Sequence, residues 1–198
     1  MTGPQRPRAA DEWPQANALL TLEALIPQDW IDYNDHMTEW QYYRLLSDAC
    51  ENFLRELGFT EEYHAQGFSF FSVEGHLRNL RECKVGTSLN VRTEVLGVDQ
   101  FRLHIFQYVI DAARSIVVAT GEHMLLHIDL KTRKPVLAGP YMQRCFRQAL
   151  DNWSAPLLPR GASPAFRVLS NGIPVRGTTH DIPQNPSRCL LRPEASLK

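Results

Sequence analysis

The chain has 198 residues, 43% of them hydrophobic and 22% charged, which is enough apolar material for one packed core. A net charge of −1 gives no overall field that would gather nucleic acid or an anionic membrane, so neither is expected as a partner. No segment approaches the roughly 20 apolar residues that a membrane helix needs, and we expect a cytoplasmic protein.

The two ends of the chain differ in composition from its middle. Residues 1–18 lack hydrophobic periodicity, and residues 151–198 hold seven of the 13 prolines. We expect a flexible N-terminal segment over 1–18, one domain over 19–150 and a loosely ordered proline-rich tail over 151–198. The four cysteines are scattered with no C-x-x-C pair, so we expect free thiols: Cys50, Cys83, Cys145 and Cys189.

A strand followed by a long helix is predicted at the start of the domain. "LLTLEALIP" is typical of a strand, and a helix is predicted to begin at Thr38, with Gln41 completing a capping box. Gly58 is placed to end the helix in a left-handed turn. The apolar residues of the helix recur at helical spacing and predict a core-facing side: Leu46, Ala49, Cys50, Phe53 and Leu57.

Four further strands are predicted after a short helical piece at "TEEYHAQ". They are "FSFFSVEGHLRNLRE", "SLNVRTEVLGVD", "FRLHIFQYVID" and "SIVVATGEHMLLHID", all rich in β-branched and aromatic residues. In the second of these runs apolar residues alternate with Asn90, Arg92 and Glu94, which predicts one dry and one wet face. We therefore expect an α+β fold in which an antiparallel meander is covered by the long helix.

Several common catalytic sites are absent from the sequence. There is no G-x-S-x-G elbow, no Gly-rich phosphate loop and no H-E-x-x-H helix. His123 and His127 lie four apart on one predicted strand face, but no third ligand accompanies them, so we interpret them as sheet histidines and expect no metal.

Polar side chains crowd the approach to the long helix in "DYNDHM". Asp32 there precedes a helix N-terminus, where unpaired N–H groups and the helix dipole favour negative charge. An oxyanion could be held at this point, although a carboxylate in such a position can also be a turn or capping residue.

The order of elements and several separated stretches resemble a known family. "WIDYNDHMTEWQYY" at the strand-to-helix junction is similar to the D-x-N-G-H-x-N motif of hotdog-fold acyl-CoA thioesterases of the 4-hydroxybenzoyl-CoA thioesterase type. Within that family, "FSFFSVEGHLRNLRECKVG", "VLGVDQFRLHIF" and "ATGEHMLLHID" resemble the betainyl-CoA thioesterase subfamily of carnitine breakdown. The sequence departs from the broader motif at Asp35, where Gly is usual, and at Thr38, where Asn is common.

The resemblance implies a hotdog fold, in which the sheet wraps around one long helix, and a catalytic role for Asp32. That carboxylate would act as general base on water or as the nucleophile that forms a mixed anhydride. His36 would orient Asp32 or the loop, and it is equally compatible with a packed histidine bonded to backbone. The hydrolysis requires no metal and no cofactor, because coenzyme A is part of the substrate.

An acyl-CoA substrate implies cationic residues for its phosphates and a pocket for its acyl group. Arg78, Arg81 and Lys84 are the candidates for the phosphates, whereas Lys131, Arg133 and Lys134 are interpreted as a turn after the last strand. A trimethylammonium group suits aromatic faces beside a carboxylate, with Trp40 and Glu39 as first choices. The residues expected to bind substrate are Tyr33, Asn34, Glu39, Trp40, Tyr43, Phe70 and Phe71.

Three functions follow from this resemblance. The first is hydrolysis of betainyl-CoA to glycine betaine and coenzyme A, and the second is hydrolysis of other short or aromatic acyl-CoA thioesters. The third is a hotdog module that binds an acyl thioester without turnover, since a fold alone does not establish chemistry. The resemblance also implies at least a homodimer with the site at its interface, because pairing joins open sheet edges.

Overall fold

A computed structural model gives the structure of the chain, and residues 17–154 are described. Most of the predicted N-terminal segment and of the predicted proline-rich tail therefore lies outside the described residues. The helices are α1 (Glu39–Leu57), α2 (Glu61–Ala65) and α3 (Pro140–Trp153). The strands are β1 (Leu19–Leu25), β2 (Phe68–Asn79), β3 (Ser88–Val98), β4 (Arg102–Asp111), β5 (Ile116–Asp129) and β6 (Lys134–Pro135).

The long helix α1 forms where its apolar spacing predicted it. All five apolar residues of the predicted core face are buried. Gly58 ends the helix with φ 108°, a left-handed conformation that an L side chain rarely adopts, and its N–H donates to the carbonyl groups of Leu54 and Arg55.

The predicted capping box at Thr38 is wrong. The Thr38 side chain makes no capping hydrogen bond to α1, and its hydroxyl donates instead to the Trp30 carbonyl at 3.1 Å. The backbone N–H of Thr38 donates to the same carbonyl at 2.9 Å. Thr38 thus fixes the loop before the helix to a 3₁₀ turn at Gln28–Trp30.

The sheet is antiparallel, but its strands do not form a simple meander. The order is β1-β3-β4-β5-β2, and β6 also pairs with β5. Strands β3, β4 and β5 follow one another as neighbours, but β2 crosses over to the far side of β5 and does not lie beside β3. The prediction of a four-strand meander is therefore wrong for β2, which forms one end of this order.

The core lies between the sheet and α1, which contacts all five of β1–β5. The first half of the helix packs Leu45, Leu46 and Ala49 against the middle of the sheet. The second half packs with α3, whose buried residues share one side of that helix: Met142, Cys145, Phe146 and Ala149. No helix was predicted for residues 140–153, so α3 is an addition to the predicted fold.

The outer face of the sheet is more buried than predicted. Glu94, assigned to the wet face, is fully buried, and the Tyr108 hydroxyl donates to its Oε1 at 2.5 Å. On the same side, His104 Nε2 and Glu122 Oε1 lie 2.8 Å apart, both buried. Side-chain alternation therefore placed Glu94 on the correct face but gave the wrong exposure.

Within residues 17–154 no helix is long and apolar enough to cross a membrane. Cys50, Cys83 and Cys145 are buried free thiols, as expected, and Cys189 lies outside the described residues.

Candidate active site

The "DYNDHM" loop forms a tight hairpin-like turn immediately before α1. Ile31 and Met37 make an isolated antiparallel bridge, and within it the Asp32 N–H donates to the His36 carbonyl at 3.0 Å. The Met37 N–H donates to the Cys83 carbonyl at 2.8 Å, which ties the loop to the segment after β2. The loop is thus held at both ends by backbone hydrogen bonds.

The Asp32 carboxylate is shaped by its own turn. Its Oδ1 accepts the Asn34 N–H at 2.8 Å, and its Oδ2 lies 3.3 Å from Asn34 Nδ2. His36 Nδ1 lies 3.9 Å from Asp32 Oδ1 and 3.4 Å from the Met37 carbonyl. Asp32, Asn34 and His36 therefore come together, and Asp32 has both roles considered from sequence, a turn former and a carboxylate beside a helix start.

Asp35 occupies the position where related motifs carry glycine. Its φ is 61°, a left-handed conformation that favours glycine and that Asp tolerates better than most residues. Its Oδ2 accepts from Lys84 Nζ at 2.6 Å, and this pairing lowers the pKa of Asp35 and raises that of Lys84. The side chain of Asp35 thus has a partner of its own outside the Asp32 turn.

The first turn of α1 faces a groove beside this loop. The groove is lined by His36, Glu39, Tyr42 and Arg81 among others, and the Tyr42 hydroxyl donates to the Arg81 carbonyl at 3.2 Å. Arg78 and Arg81 are exposed. Of the three cations proposed for CoA phosphates, Lys84 is the one engaged with a carboxylate.

A cavity of ≈ 140 Å³ lies farther along α1, between that helix and strands β2 and β5. Tyr43 and Phe70, both expected to bind substrate, line it. The remaining polar lining residues are Ser47, Glu51, Ser72 and His123.

Backbone irregularity in β2 brings Gly75 to the side of the strand that faces α1. A register shift between Ser72 and Glu74 reverses the alternation of the strand, and a Cβ built at Gly75 would lie 3.1 Å from the Tyr43 hydroxyl. The absence of a side chain at Gly75 therefore leaves the space that Tyr43 occupies.

His123 is the most buried polar residue of the cavity, with 3% of its surface exposed. Its ring lies 5.7 Å from the Tyr43 ring, and its Nε2 has no hydrogen-bond partner among the described residues. Burial lowers the pKa of His123 to about 4, with Glu122 acting weakly in the opposite direction, so the ring is neutral at pH 7.

The other aromatic residues expected to bind substrate do not line this cavity. Tyr33 is 96% exposed at the tip of the loop, and Trp40 is 56% exposed on α1. The Phe71 ring packs under the Arg133 guanidinium, 4.8 Å from its centroid. Glu39 lines the groove near Asp32 and not the cavity.

Ser47, Glu51 and His123 were not predicted as site residues. The signal was present, because Tyr43, Ser47 and Glu51 recur every fourth residue and must share one side of a helix. His127, by contrast, has a structural role: its Nε2 and the Tyr63 hydroxyl lie 2.8 Å apart, and its Nδ1 lies 2.8 Å from the Val136 carbonyl.

Known proteins share this architecture and parts of this sequence. Residues 26–149 match the Thioesterase-like superfamily. An L-carnitine dehydrogenase/betainyl-CoA thioesterase of Agrobacterium fabrum is 42% identical over 142 residues, which are 71% of this chain and 28% of that protein. The chain therefore spans less than a third of that relative's length. A betainyl-CoA thioesterase of Pseudomonas aeruginosa is 34% identical over 116 residues, 58% of this chain and 73% of that protein.

Solved structures agree on the fold. A Staphylococcus aureus protein in complex with CoA superimposes with a TM-score of 0.67 at 21% identity, covering 76% of this chain and 97% of that one. A 1,4-dihydroxy-2-naphthoyl-CoA thioesterase from Synechocystis superimposes with a TM-score of 0.58 at 16% identity, covering 65% of this chain and 95% of that one. At these identities the likeness concerns the fold alone, and it confirms the hotdog arrangement expected from the sequence. Together with the match over residues 26–149, it shows that the chain is a member of the thioesterase-like superfamily.

Proposed function

We propose that the chain hydrolyses an acyl-CoA thioester, with betainyl-CoA as its substrate and glycine betaine and coenzyme A as products. The observation that carries the proposal is the Asp32 carboxylate, held in its turn directly before the N-terminus of α1. The names of relatives at 34% and 42% identity support the choice of acyl group.

The chemistry needs a carboxylate and donors for a developing oxyanion. As general base, Asp32 takes a proton from water while the water oxygen forms a bond to the thioester carbonyl carbon. The carbon–sulfur bond then breaks, and the CoA thiolate leaves and takes up a proton. As nucleophile, Asp32 itself forms the bond to that carbon, the carbon–sulfur bond breaks and the CoA thiolate leaves. Water then hydrolyses the resulting anhydride and restores the carboxylate.

The N-terminus of α1 supports the oxyanion part of this proposal. The Thr38 hydroxyl is engaged with the Trp30 carbonyl, so it does not cap the first-turn N–H groups. Such groups and the helix dipole favour negative charge, and one well-placed donor contributes about 3 kcal/mol in enzymes that use them. These groups and water suffice for the reaction, so we propose no cofactor.

The phosphates of coenzyme A are assigned to Arg78 and Arg81. Both are exposed, and Arg81 lines the groove beside the Asp32 loop. Lys84 is paired with Asp35 at 2.6 Å, so its charge is already partly compensated. Guanidinium groups also suit phosphate oxygens, which they can bind in a bidentate manner.

We further propose a homodimer with the active site at its interface. Strand β2 ends the sheet order, so one edge of this 12-residue strand is unpaired in the part of the chain that is described. Long open edges favour pairing with another chain. The buried free thiols fit a reducing compartment, so the proposed location is the cytoplasm.

The experiment is thiol release from a panel of CoA thioesters: betainyl, acetyl, butyryl and 4-hydroxybenzoyl. Fastest release from betainyl-CoA is the expected result. Thiol release from another ester, with none from betainyl-CoA, would show that the chain is a thioesterase with a different substrate. No release from any ester, with tight binding of the thioesters, would favour a binding module without turnover.

A further inference from the structure

The cavity between α1, β2 and β5 has a composition unlike that of the surrounding core. It combines the rings of Tyr43, Phe70 and His123 with the carboxylate of Glu51. Its ≈ 140 Å³ is close to the roughly 150 Å³ of an engineered cavity that accepts benzene, so it has room for one small, compact group.

Glu51 is the one acidic side chain that lines this cavity, and burial lowers the pKa of His123 and keeps its ring neutral. The nearest paired cation is Arg55, whose Nη2 lies 3.4 Å from Glu51 Oε2. That pair is weak, since both side chains are about two-thirds exposed, and Arg55 Nη1 has a shorter bond of 2.8 Å to Asn52 Oδ1.

His123 gives the cavity a buried aromatic ring, with 3% of its surface exposed, and its Nε2 has no hydrogen-bond partner among the described residues. A quaternary ammonium cannot bond to that nitrogen, so what His123 offers such a group is its ring face. Because the ring is neutral, it adds this face without adding positive charge. A protonated histidine at this point would repel a cationic ligand.

We propose that this cavity binds the trimethylammonium end of the acyl group, with the rings of Tyr43, Phe70 and His123 as faces and Glu51 as the charge partner. A quaternary ammonium donates no hydrogen bonds and is recognised by aromatic faces and by a nearby carboxylate. The cavity offers both, within the reach of one small group. This assignment rests on the proposed function, and it differs from the expectation that Trp40 and Glu39 perform this recognition.

The test compares two esters of similar shape that differ in one fixed charge, betainyl-CoA and 3,3-dimethylbutyryl-CoA. In Glu51→Gln and in Tyr43→Leu the ratio of their kcat/KM values should fall about tenfold, which corresponds to about 1.4 kcal/mol. Tyr43→Phe keeps the ring face and should keep the ratio. Glu56→Gln, an exposed acid on the same helix, is the matched control and should also keep it.

The outcomes separate this proposal from the proposed function. If wild type prefers betainyl-CoA and the Glu51 and Tyr43 variants slow both esters equally, the cavity does not recognise the charge and the proposal is overturned. A second outcome would also overturn the proposal: the ratio of kcat/KM values falls in Trp40→Leu or Glu39→Gln but not in the Glu51 and Tyr43 variants. Recognition of the charge would then lie at the start of α1.

A second measurement decides the matter even if wild type releases no thiol from betainyl-CoA. Tetramethylammonium chloride added to the protein should shift the NMR signals of the His123 imidazole, and at least about threefold more salt should be needed in Glu51→Gln. Unchanged His123 signals would overturn the assignment of the cavity. Shifted signals without hydrolysis would overturn the proposed function and leave the cation site standing.

Discussion

Asp32 is held by the same turn that it forms. Its backbone N–H donates to the His36 carbonyl, and its side chain accepts from the Asn34 N–H. The carboxylate therefore has a fixed orientation before any substrate binds, which is the kind of positioning that catalysis by a single carboxylate requires. Asp32 is therefore needed both for the turn, which these bonds form, and for the proposed chemistry of its carboxylate.

Replacing Asp32 by Asn separates these two roles. Asn keeps the size of the side chain and an oxygen that accepts the Asn34 N–H, so the turn should form. It cannot act as a base, so kcat for thioester hydrolysis should fall at least about a hundredfold. Asp29→Asn, at an exposed carboxylate in the preceding 3₁₀ turn, is the control and should retain activity.

Near-normal turnover in Asp32→Asn would contradict the assignment of Asp32. Asp35→Asn would then be measured next. A similar loss in Asp35→Asn and in Lys84→Gln would indicate that the ion pair, and not Asp32, organises the site.

Glu94 makes stability depend on pH. Burial raises its pKa from 4.5 to about 7, although the hydrogen bond from Tyr108 acts in the opposite direction. Between these two values the unfolded chain loses a proton that the folded chain keeps, so folding stability falls as pH rises from 4.5 to 7. Gln in place of Glu94 keeps an oxygen for the Tyr108 hydroxyl and has no proton to lose.

Glu94→Gln should therefore be more stable than wild type at pH 8, by as much as about 3 kcal/mol, with the difference vanishing near pH 4. Urea unfolding at several pH values measures this difference. A stability gap that is the same at pH 4 and pH 8 would show that Glu94 does not titrate in this window.

At the scale of elements, the sheet approaches α1 closely at Gly121. A Cβ at this position would lie 2.6 Å from Leu46 Cδ1 and 2.8 Å from Leu46 Cδ2. Leu46 is fully buried, so its side chain has little room to move away. Glycine is needed here for space and not for an unusual backbone angle.

Gly121→Ala should accordingly destabilise the fold by about 1–3 kcal/mol, as overpacking of a core does. Leu46→Val removes the clashing end of the leucine, so the double variant should recover part of this loss. Gly139→Ala, where the added Cβ meets nothing within 4 Å, is the control and should cost less. Additive losses in the double variant would mean that Leu46 is not what restricts position 121.

Local patterns predicted the elements well and their pairing poorly. The change from helical to alternating spacing after Gly67 located β2 to β5, because each pattern is set by neighbouring residues. The place of β2 beside β5 depends on contacts across the chain, which no local pattern contains. Helix α3 was missed although Pro140 at its start and Met142, Cys145, Phe146 and Ala149 have helical spacing.

For the candidate site, too, residues close in sequence could be predicted together, and residues joined only by the fold could not. A motif at one turn indicated Asp32 and its loop as a candidate site, since those residues are adjacent in sequence. The cavity joins residues from α1, β2 and β5, so His123 could be connected with Tyr43 only after the sheet order was known. Glu94 was assigned to the wet face because alternation indicates which way a side chain points and not what covers it.

On the scale of the whole molecule, Asp32 and the cavity lie at different points along α1. Asp32 precedes the helix, whereas the cavity residues Tyr43 and Ser47 lie four and eight residues beyond Glu39, about 6 and 12 Å along it. In the betainyl group one CH₂ joins the carbonyl carbon to the nitrogen, so these atoms are no more than about 3 Å apart. A group this short does not span a separation of that order within one chain.

A two-fold dimer through β2 would resolve this separation. Antiparallel pairing of two β2 strands reverses one relative to the other, so the Asn79 end of one lies beside the Phe68 end of its partner. Asn79 borders the groove next to the Asp32 loop, and Phe70, near the Phe68 end, borders the cavity. Each active site would then combine Asp32 of one chain with the cavity of the other.

Complementation between two inactive variants tests this arrangement. Asp32→Asn removes the carboxylate, and Ser47→Phe fills the cavity from an exposed position on α1, so each variant alone should be nearly inactive. In a mixed dimer with shared sites, one of the two sites carries both wild-type residues, so coexpression should restore about a quarter of wild-type activity. Coexpressed chains that remain inactive while sedimenting as mixed dimers would place Asp32 and the cavity of one site on the same chain, and a stable, active monomer in light scattering would exclude the dimer itself.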